Sequence, residues 1–268
     1  IFLNIFAMAI IQLCICRSNT LSRKNKKIFL WLFNFIIVAS FCEWTGYILQ
    51  GTGSSTRLLH VFVKATELSL APYIAVLVSV LIGNRNTKVI SGILLCHVIL
   101  EFLSGIYGFI YSVDSSSNYT HGNFYWIYIT VYLISILYCL YSVSKNISRY
   151  QYNGIGFFAM IILFMLTGIA IQLVDSFVRV DYIAIGIASI MLYVFTLEMI
   201  NQTDELTELL NRRGYENCIS HISTPCMIIF LDVDDFKNIN DTYGHMFGDR
   251  VLHETGITIR NSYARYGQ

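Results

Sequence analysis

Seven runs of predominantly apolar residues, most of them close to twenty residues long, occupy the first 200 positions of this chain. A helix needs about 20 apolar residues to cross the hydrocarbon core of a bilayer. In that solvent every backbone N–H and C=O must be satisfied within the protein, which a helix achieves by itself. We therefore predict an α-helical membrane bundle of seven spans. The runs cover roughly 1–16, 28–49, 65–82, 89–112, 124–143, 155–174 and 182–200.

The charge balance changes near residue 200. Residues 1–200 contain 12 Lys and Arg against 7 Asp and Glu, whereas residues 201–268 contain 6 against 10. A step of this size marks a domain boundary. We predict a seven-helix transmembrane region over 1–200 and a separate, polar segment over 201–268.

The basic residues between the runs alternate along the chain. The fourth connection, 114–123, contains no Lys or Arg, whereas the first, third and fifth connections are basic. Loops that are rich in Lys and Arg stay in the cytoplasm. We predict an N-terminus outside the membrane and residues 201–268 in the cytoplasm. The basic residues in or near these three connections are Arg17, Arg23, Lys24, Lys26, Lys27, Arg85, Lys88, Lys145 and Arg149.

Five ionisable residues fall in or near the apolar runs. A charge at membrane depth is costly and usually faces the bundle interior or a water-filled cavity. These groups indicate either a ligand or ion site or structural pairs such as Lys64 with Glu67. Groups at the bilayer interface are a third interpretation. The five residues are Glu43, Lys64, Glu67, Glu101 and Asp175.

The stretch from Glu43-Trp44-Thr45-Gly46-Tyr47 to Glu67-Leu68-Ser69-Leu70-Ala71-Pro72 resembles the seven-helix sensor module of bacterial histidine kinases and related signalling proteins. The resemblance implies a receptor rather than a transporter.

The polar segment begins directly after the last run. Thr203, which is followed by the acidic residues Asp204 and Glu205, can cap a short helix that has an apolar stripe. A second helix is expected over 213–221. Residues 226–231, Cys-Met-Ile-Ile-Phe-Leu, are typical of a fully buried strand. Ligand sites in open α/β sheets form beyond the ends of such strands.

The residues after this strand suit a metal-bound phosphate ligand. If the strand continues, Asp232 and Asp234 point to opposite faces, so one carboxylate can bind Mg²⁺. Backbone N–H groups at 235–237 open a helix and suit phosphate. Lys237 adds a point charge. Asn240 and Asp249 offer the donors and acceptors that read a purine edge.

A calcium-binding EF-hand is the competing interpretation of this acidic run. Its loop requires Asp or Asn at the fifth position, Gly at the sixth and Glu at the twelfth. Counted from Asp232, these positions hold Phe236, Lys237 and Tyr243. The sequence therefore excludes an EF-hand. A plain helix-capping role remains open for each single Asp residue.

Two motifs resemble the diguanylate cyclase family, whose domain is called GGDEF. The first is Asp204-Glu-Leu-Thr-Glu-Leu-Leu-Asn-Arg-Arg213, and the second runs from Asp232 to Asp249. The resemblance covers about residues 203–268, less than half of such a domain. It implies an incomplete α/β fold like the palm of nucleotidyl cyclases. Residues 201–268 are then the N-terminal portion of a GGDEF domain.

The resemblance implies a role for each matching position. Asp232 would bind Mg²⁺ through its carboxylate and Val233 through its carbonyl, with two metal ions per active site in the family. Six further residues would form the GTP site. Asp235, Phe236 and Lys237 would bind the triphosphate. Asn240 and Asp249 would bind guanine, and His245 would line the nucleotide pocket.

The family condenses two GTP molecules into cyclic di-GMP, and two half-sites have to meet in a homodimer. A bacterial inner-membrane protein is implied, with GTP and lipid as partners and no nucleic acid.

The chain departs from the family pattern at its signature turn. The Gly-Gly-Asp/Glu-Glu-Phe motif should follow Arg265-Tyr266, but the chain continues with Gly267 and Gln268. No catalytic residue is therefore assigned, because the acidic signature residues would lie beyond Gln268. The stretch 252–265 is also short for the family. Since the first residue is Ile1, within an apolar run, we also expect an incomplete N-terminus.

Three functions remain open from the sequence. The first is a membrane receptor whose intact form is a diguanylate cyclase, although the chain as it stands would make no cyclic di-GMP. The second is a receptor with a non-catalytic remnant that binds GTP or a partner. The third, a transporter or channel with a short tail, leaves both motifs unexplained.

Overall fold

The computed structural model describes residues 1–18, 20–83, 87–146, 154–174, 180–220, 222 and 225–263. Four residues or ranges named above lie outside these ranges: Arg85, Arg149, Asp175 and Arg265 to Gln268. The chain divides into two compact units, Ile1–Val194 and Phe195–Gln268, which we call unit 1 and unit 2.

Seven helices follow one another between Phe2 and Asn201 in the described ranges. A short 3₁₀ turn, Ser54–Thr56, precedes the third of them. The helices are α1 (Phe2–Arg17), α2 (Arg23–Leu49), α3 (Arg57–Leu81), α4 (Lys88–Tyr107), α5 (Trp126–Asn146), α6 (Gly154–Val174) and α7 (Asp181–Asn201).

Five helical segments in the described ranges are long and apolar enough to cross a membrane. They correspond to α2, α3 with its preceding turn, α4, α5 and α7. Helix α1 and the apolar part of α6 over Gly156–Met165 are shorter than a full span. Membrane association through five helices is thus supported, and seven spans remain a prediction.

The surface of unit 1 is apolar. Leu3, Leu58 and Val89 are exposed, while Glu43, His60 and other polar side chains are buried inside. A soluble domain shows the opposite distribution, because water favours polar groups on the surface. The inverted pattern fits a lipid environment, in which ionisable groups face the bundle interior.

Helix α3 is central in unit 1, since it packs against α2, α4 and α5. One apolar cluster lies where α3 and α4 meet a β-hairpin, with Ala65, Leu68 and Tyr111 buried. A second cluster, formed by Val76, Ile90 and Leu94, joins α3 to α4.

The expected fourth span, 89–112, is wrong at its C-terminal end. Helix α4 ends at Tyr107, because Gly108 has φ 74° and reverses the chain. Two short antiparallel strands follow, β1 (Tyr111–Val113) and β2 (Tyr119–His121). The hydroxyl of Ser104 accepts the N–H groups of Ile110 and Tyr111 at 2.8 and 3.0 Å, which fixes the hairpin to α4.

Unit 2 contains three further helices in its described part, α8 (Arg212–Ser220), α9 (Phe236–Tyr243) and α10 (His245–Tyr263). The helix expected from Thr203 onwards is wrong. Residues 203–210 form a turn closed by an isolated antiparallel bridge between Thr203 and Leu210. The predicted helix over 213–221 corresponds to α8.

The buried strand expected over 226–231 is also wrong. These residues are irregular, and Met227 and Phe230 are 83% and 88% exposed. A strand forms only when a neighbour accepts and donates its backbone hydrogen bonds. Among the described residues of unit 2 no second strand is present, so the apolar run has nothing to pair with or pack under. The sheet of the expected α/β fold is therefore not formed by the residues that the structure describes.

Candidate functional site

The first motif of unit 2 folds into a compact turn. The Asp204 carboxylate accepts both the backbone N–H and the hydroxyl of Thr207 at 2.8 Å. These bonds lower the pKa of Asp204 below its usual value. The turn is therefore held by an ionised side chain, as in other Asx turns.

Asn211 connects this turn to helix α8. Its side-chain oxygen accepts the N–H of Gly214 at 3.0 Å, which caps the helix N-terminus. Its amide nitrogen donates to the carbonyls of Asn201 and Thr203 at 3.0 and 3.3 Å. A single amide group thus fixes three backbone segments.

Helix α10 packs against the same turn through one face. His253 Nδ1 lies 2.8 Å from the carbonyl oxygen of Leu206. Arg260 pairs with Glu208 at 3.0 Å. Gly256 is buried between them, and a Cβ there would come within 2.6 Å of the Thr207 carbonyl oxygen. The turn therefore positions the helix that carries His245 and Asp249.

The predicted metal and phosphate residues lie before and within the start of α9. Asp232 accepts the N–H of its neighbour Val233 at 3.0 Å. Asp235 precedes the helix with φ 51°, a left-handed conformation that Asp tolerates better than most residues. Phe236 and Lys237 follow in the first turn, where backbone N–H groups have no partner within the helix. Lys237 is exposed.

The predicted guanine residues come together where α9 meets α10. Gly244, at φ 84°, separates the two helices. Gly248 is buried, and a Cβ there would overlap the side-chain oxygen of Asn240. Asp249 follows Gly248, and His245 begins α10; both side chains are exposed. The structure thus brings Asn240, in the middle of α9, beside Gly248, the residue that precedes Asp249.

The donor chemistry fits Mg²⁺, but the described residues do not assemble a complete metal site. Among them no group of three His, Cys, Asp or Glu side chains is placed to hold a metal ion. Mg²⁺ commonly takes one or two carboxylates and completes its shell with water and substrate phosphate. Asp232 can supply such a carboxylate, so the fit depends on ligands that the nucleotide brings.

In unit 1, Lys64 and Glu67 form the structural ion pair that was one interpretation of the ionisable residues. Lys64 Nζ lies 2.8 Å from Glu67 Oε2, with both side chains largely buried. Glu43 is buried on α2 and is hydrogen-bonded to Asp181, the first residue of α7. Glu101 is fully buried, 3.6 Å from His97 Nε2.

Comparison with known proteins shows that the C-terminal segment is similar to one family. Residues 201–267 match the family described as diguanylate cyclase, GGDEF domain. This match, together with relatives named diguanylate cyclase, supports the GGDEF family for that segment. No solved structure matches the chain.

Three relatives illustrate the range of this family. The diguanylate cyclase DosC of Shigella flexneri serotype 5b is 45% identical over 61 residues, which are 20% of this chain and 16% of that protein. The diguanylate cyclase VdcA of Vibrio cholerae is 40% identical over 52 residues, 18% of this chain and 15% of that protein. The cyclic di-GMP phosphodiesterase PdeR of Escherichia coli is 35% identical over 68 residues, 24% of this chain and 10% of that protein.

The similarity covers only a small part of each relative. The chain spans between a tenth and a fifth of the length of such curated relatives. The matches support a role in cyclic di-GMP signalling. These relatives include both diguanylate cyclases and a cyclic di-GMP phosphodiesterase, so the similarity does not distinguish which reaction this chain carries out.

The sequence interpretation missed several residues that organise both units. His253, Gly256 and Arg260 lie at positions i, i+3 and i+7 of one helix, a spacing that places them on one face and could have revealed them. In unit 1 it missed His60 and Asp181, which give no local pattern because their partners are distant in sequence.

Proposed function

We propose that the intact protein is a membrane-bound signalling receptor of bacterial type whose C-terminal domain binds GTP and condenses two molecules into cyclic di-GMP. The observation that carries this proposal is the family match over 201–267, which includes both motifs of the polar segment. The five membrane-competent helices that precede it support a receptor in the cytoplasmic membrane.

In this proposal the N-terminal end of α9 binds the triphosphate. Backbone N–H groups of Asp235, Phe236 and Lys237 point out of the first turn, where the helix dipole favours an anion. Lys237 places its ammonium in solvent beside them. Asn240 of α9 and Asp249 of α10 hold guanine, and His245 lines the pocket.

A magnesium ion held by Asp232 and the Val233 carbonyl would neutralise charge on the triphosphate. The protein's own contribution is the exposed Asp232 carboxylate at the end of the apolar segment. Each bound nucleotide needs a second one in line with it. We therefore propose that the active form is a homodimer.

The second candidate is a receptor whose GGDEF segment binds GTP or a partner without catalysis. Gln268 favours it, since it stands where the family has the second glycine of its signature turn. A side chain at that glycine would obstruct close approach of the backbone to a ligand. In both proposals the 268-residue chain itself makes no cyclic di-GMP.

The test is GTP binding and turnover by the intact protein in nanodiscs with Mg²⁺. We expect Asp232→Ala to weaken GTP binding at least tenfold, because a charge-assisted metal contact contributes roughly 1.5–3 kcal/mol. The exposed α10 residue Glu254, to which no role is assigned, provides the control Glu254→Ala, with binding unchanged.

The outcomes separate the two candidates. Product from the intact protein supports the cyclase. Tight GTP binding without product supports the non-catalytic receptor. If Asp232→Ala and Glu254→Ala bind GTP equally well, the assigned metal and phosphate site is wrong.

A further inference from the structure

Unit 1 gathers polar side chains from four elements at one end of the bundle. Lys64 Nζ lies 2.8 Å from Glu67 and 5.0 Å from the centre of the Tyr119 ring on β2. Glu43 on α2 is hydrogen-bonded to Asp181 on α7, and Glu67 also acts electrostatically on Asp181. We call this set the buried polar cluster: Glu43, His60, Lys64, Glu67, Tyr119 and Asp181.

The cluster is built around an ammonium group. A carboxylate and an aromatic face are the two partners that bind a primary ammonium most strongly in a protein interior. Gly46 of α2 leaves space for it, since a Cβ there would lie 2.9 Å from Lys64 Cε and 3.4 Å from Lys64 Nζ. In this structure the Lys64 ammonium occupies the position between Glu67, Tyr119 and Gly46.

His60 gives an independent indication that another group belongs there. Its ring is fully buried, and Nδ1 lies 3.0 Å from the Ser117 carbonyl oxygen. The Ser117 hydroxyl lies 3.2 Å from the same Nδ1. Because a carbonyl can only accept, the tautomer with the proton on Nδ1 satisfies the carbonyl contact and leaves Nε2 as a bare acceptor. Nε2 has no hydrogen-bond partner among the described residues. A Cβ on Gly46 would lie 3.7 Å from Nε2 and 3.4 Å from Lys64 Nζ, so the two nitrogens border the same point.

We propose that the buried polar cluster is a binding site for a small primary ammonium compound. The ligand ammonium replaces that of Lys64 on Glu67 and donates an N–H to His60 Nε2. A quaternary ammonium lacks this N–H and is excluded. The proposal concerns unit 1 alone and goes beyond the proposed function, since it would hold even if unit 2 made no cyclic di-GMP.

The same imidazole links the site to the hairpin. Ser117 is fully buried at φ 65°, and its carbonyl oxygen also accepts the N–H of Gly51 at 3.3 Å. Arg57 donates to the Val113 carbonyl at 2.9 Å beside it. A hydrogen bond to Nε2 polarises the ring and strengthens the Nδ1–H bond to Ser117. Ligand binding should therefore protect the hairpin, residues 111–121, from hydrogen exchange.

The probe is n-butylamine, which reproduces the end of a lysine side chain. The full 268-residue chain in nanodiscs is titrated with n-butylammonium chloride or, at equal ionic strength, with tetramethylammonium chloride. We expect n-butylamine to raise the thermal midpoint saturably and to slow exchange at 111–121. Tetramethylammonium should do neither. Equal effects of the two cations would overturn the proposal.

Three variants test which side chains determine the affinity for n-butylamine. Lys64→Ala removes the competing ammonium and should tighten n-butylamine binding about tenfold, whereas His60→Phe removes the acceptor and should weaken it about tenfold. Gly92→Ala on α4, where a Cβ meets nothing within 4 Å, is the matched control and should bind as the parent does. Unchanged affinity in both His60→Phe and Lys64→Ala contradicts the proposal. If either variant fails to fold, the comparison of the two cations on the parent chain decides alone.

Discussion

Single polar side chains fix the backbone where unit 2 begins. Asn211 caps α8 and at the same time bonds two carbonyls that lie 8 and 10 residues earlier in the chain. Substituting such a cap by Ala costs roughly 0.5–2 kcal/mol. In the family motif this position is therefore explained by backbone hydrogen bonding and needs no contact with substrate.

We predict that Asn211→Ala lowers the hydrogen-exchange protection of the Gly214 amide about tenfold in the full chain, which corresponds to a loss of about 1.4 kcal/mol. Asn211→Asp keeps the capping oxygen but loses the two donor contacts, so it should retain part of the protection. Full protection in Asn211→Ala would show that the cap contributes nothing to α8.

Asp204 makes the same region sensitive to acid. Hydrogen bonds from Thr207 lower its pKa in the folded chain. A carboxyl group with a lowered folded pKa contributes stability above its unfolded pKa of about 3.9, and this contribution is lost as the pH falls through the folded value. The turn should therefore keep its protection at pH 6 and lose it as the pH falls below 3.8, the usual Asp value.

The check is an NMR titration of the Thr207 amide, with Asp204→Asn as the comparison. We expect the parent amide to shift with a midpoint below 3.8, the usual Asp value. The variant, which cannot ionise, should show no such step. A midpoint at or above that value would mean that the two bonds to Thr207 do not form in solution.

At the scale of elements, two predictions for unit 2 failed for different reasons. Thr203 and its acidic neighbours form a bridged turn because Asp204 bonds to Thr207 locally and competes with a helix. The run 226–231 stays irregular because a strand depends on a partner elsewhere in the chain. Helix α8 was predicted correctly because its cap and its hydrogen bonds lie within a few residues.

The contact between α10 and the turn formed by residues 203–210 can be tested at Gly256. A Cβ added there would come within 2.6 Å of the Thr207 carbonyl oxygen, a backbone atom that cannot rotate away. We expect Gly256→Ala to destabilise this contact by about 1–3 kcal/mol through overpacking. The readout is faster hydrogen exchange at Thr207 and Leu209.

Thr258→Ala serves as the control for this substitution, because Thr258 is exposed on the same helix. It should leave exchange in the turn unchanged. If Gly256→Ala behaves like Thr258→Ala, α10 does not pack on the turn as the structure has it.

At the scale of the whole molecule, the basic connections predict how the chain crosses the membrane. The N-terminal end of α2, next to the turn that follows α1, carries Arg23 and Lys24 in exposed positions, whereas the hairpin connection 114–118 has no Lys or Arg. If all seven helices span the membrane, the positive-inside rule predicts this end of α2 inside, the hairpin outside and unit 2 in the cytoplasm.

Reporter fusions test this orientation. Green fluorescent protein fused after Thr20 or Asn201 should fluoresce, and alkaline phosphatase fused after Ser116 should be active, since each reporter works on one side of the membrane only. Active phosphatase after Asn201 would put unit 2 outside, where GTP is scarce, and would end the proposed cyclase function.

The sequence by itself determined the apolar helices, the boundary near residue 200 and the two family motifs. These features depend on composition and on residues close together in the chain, such as Asp204 with Thr207. Only the tertiary structure showed that Asn240 lies against Gly248, that α10 packs on the turn 203–210, and that Lys64 and His60 contact Tyr119 and Ser117 of the hairpin segment, respectively. Such contacts join distant segments, and local propensity does not encode which distant segment will be the partner.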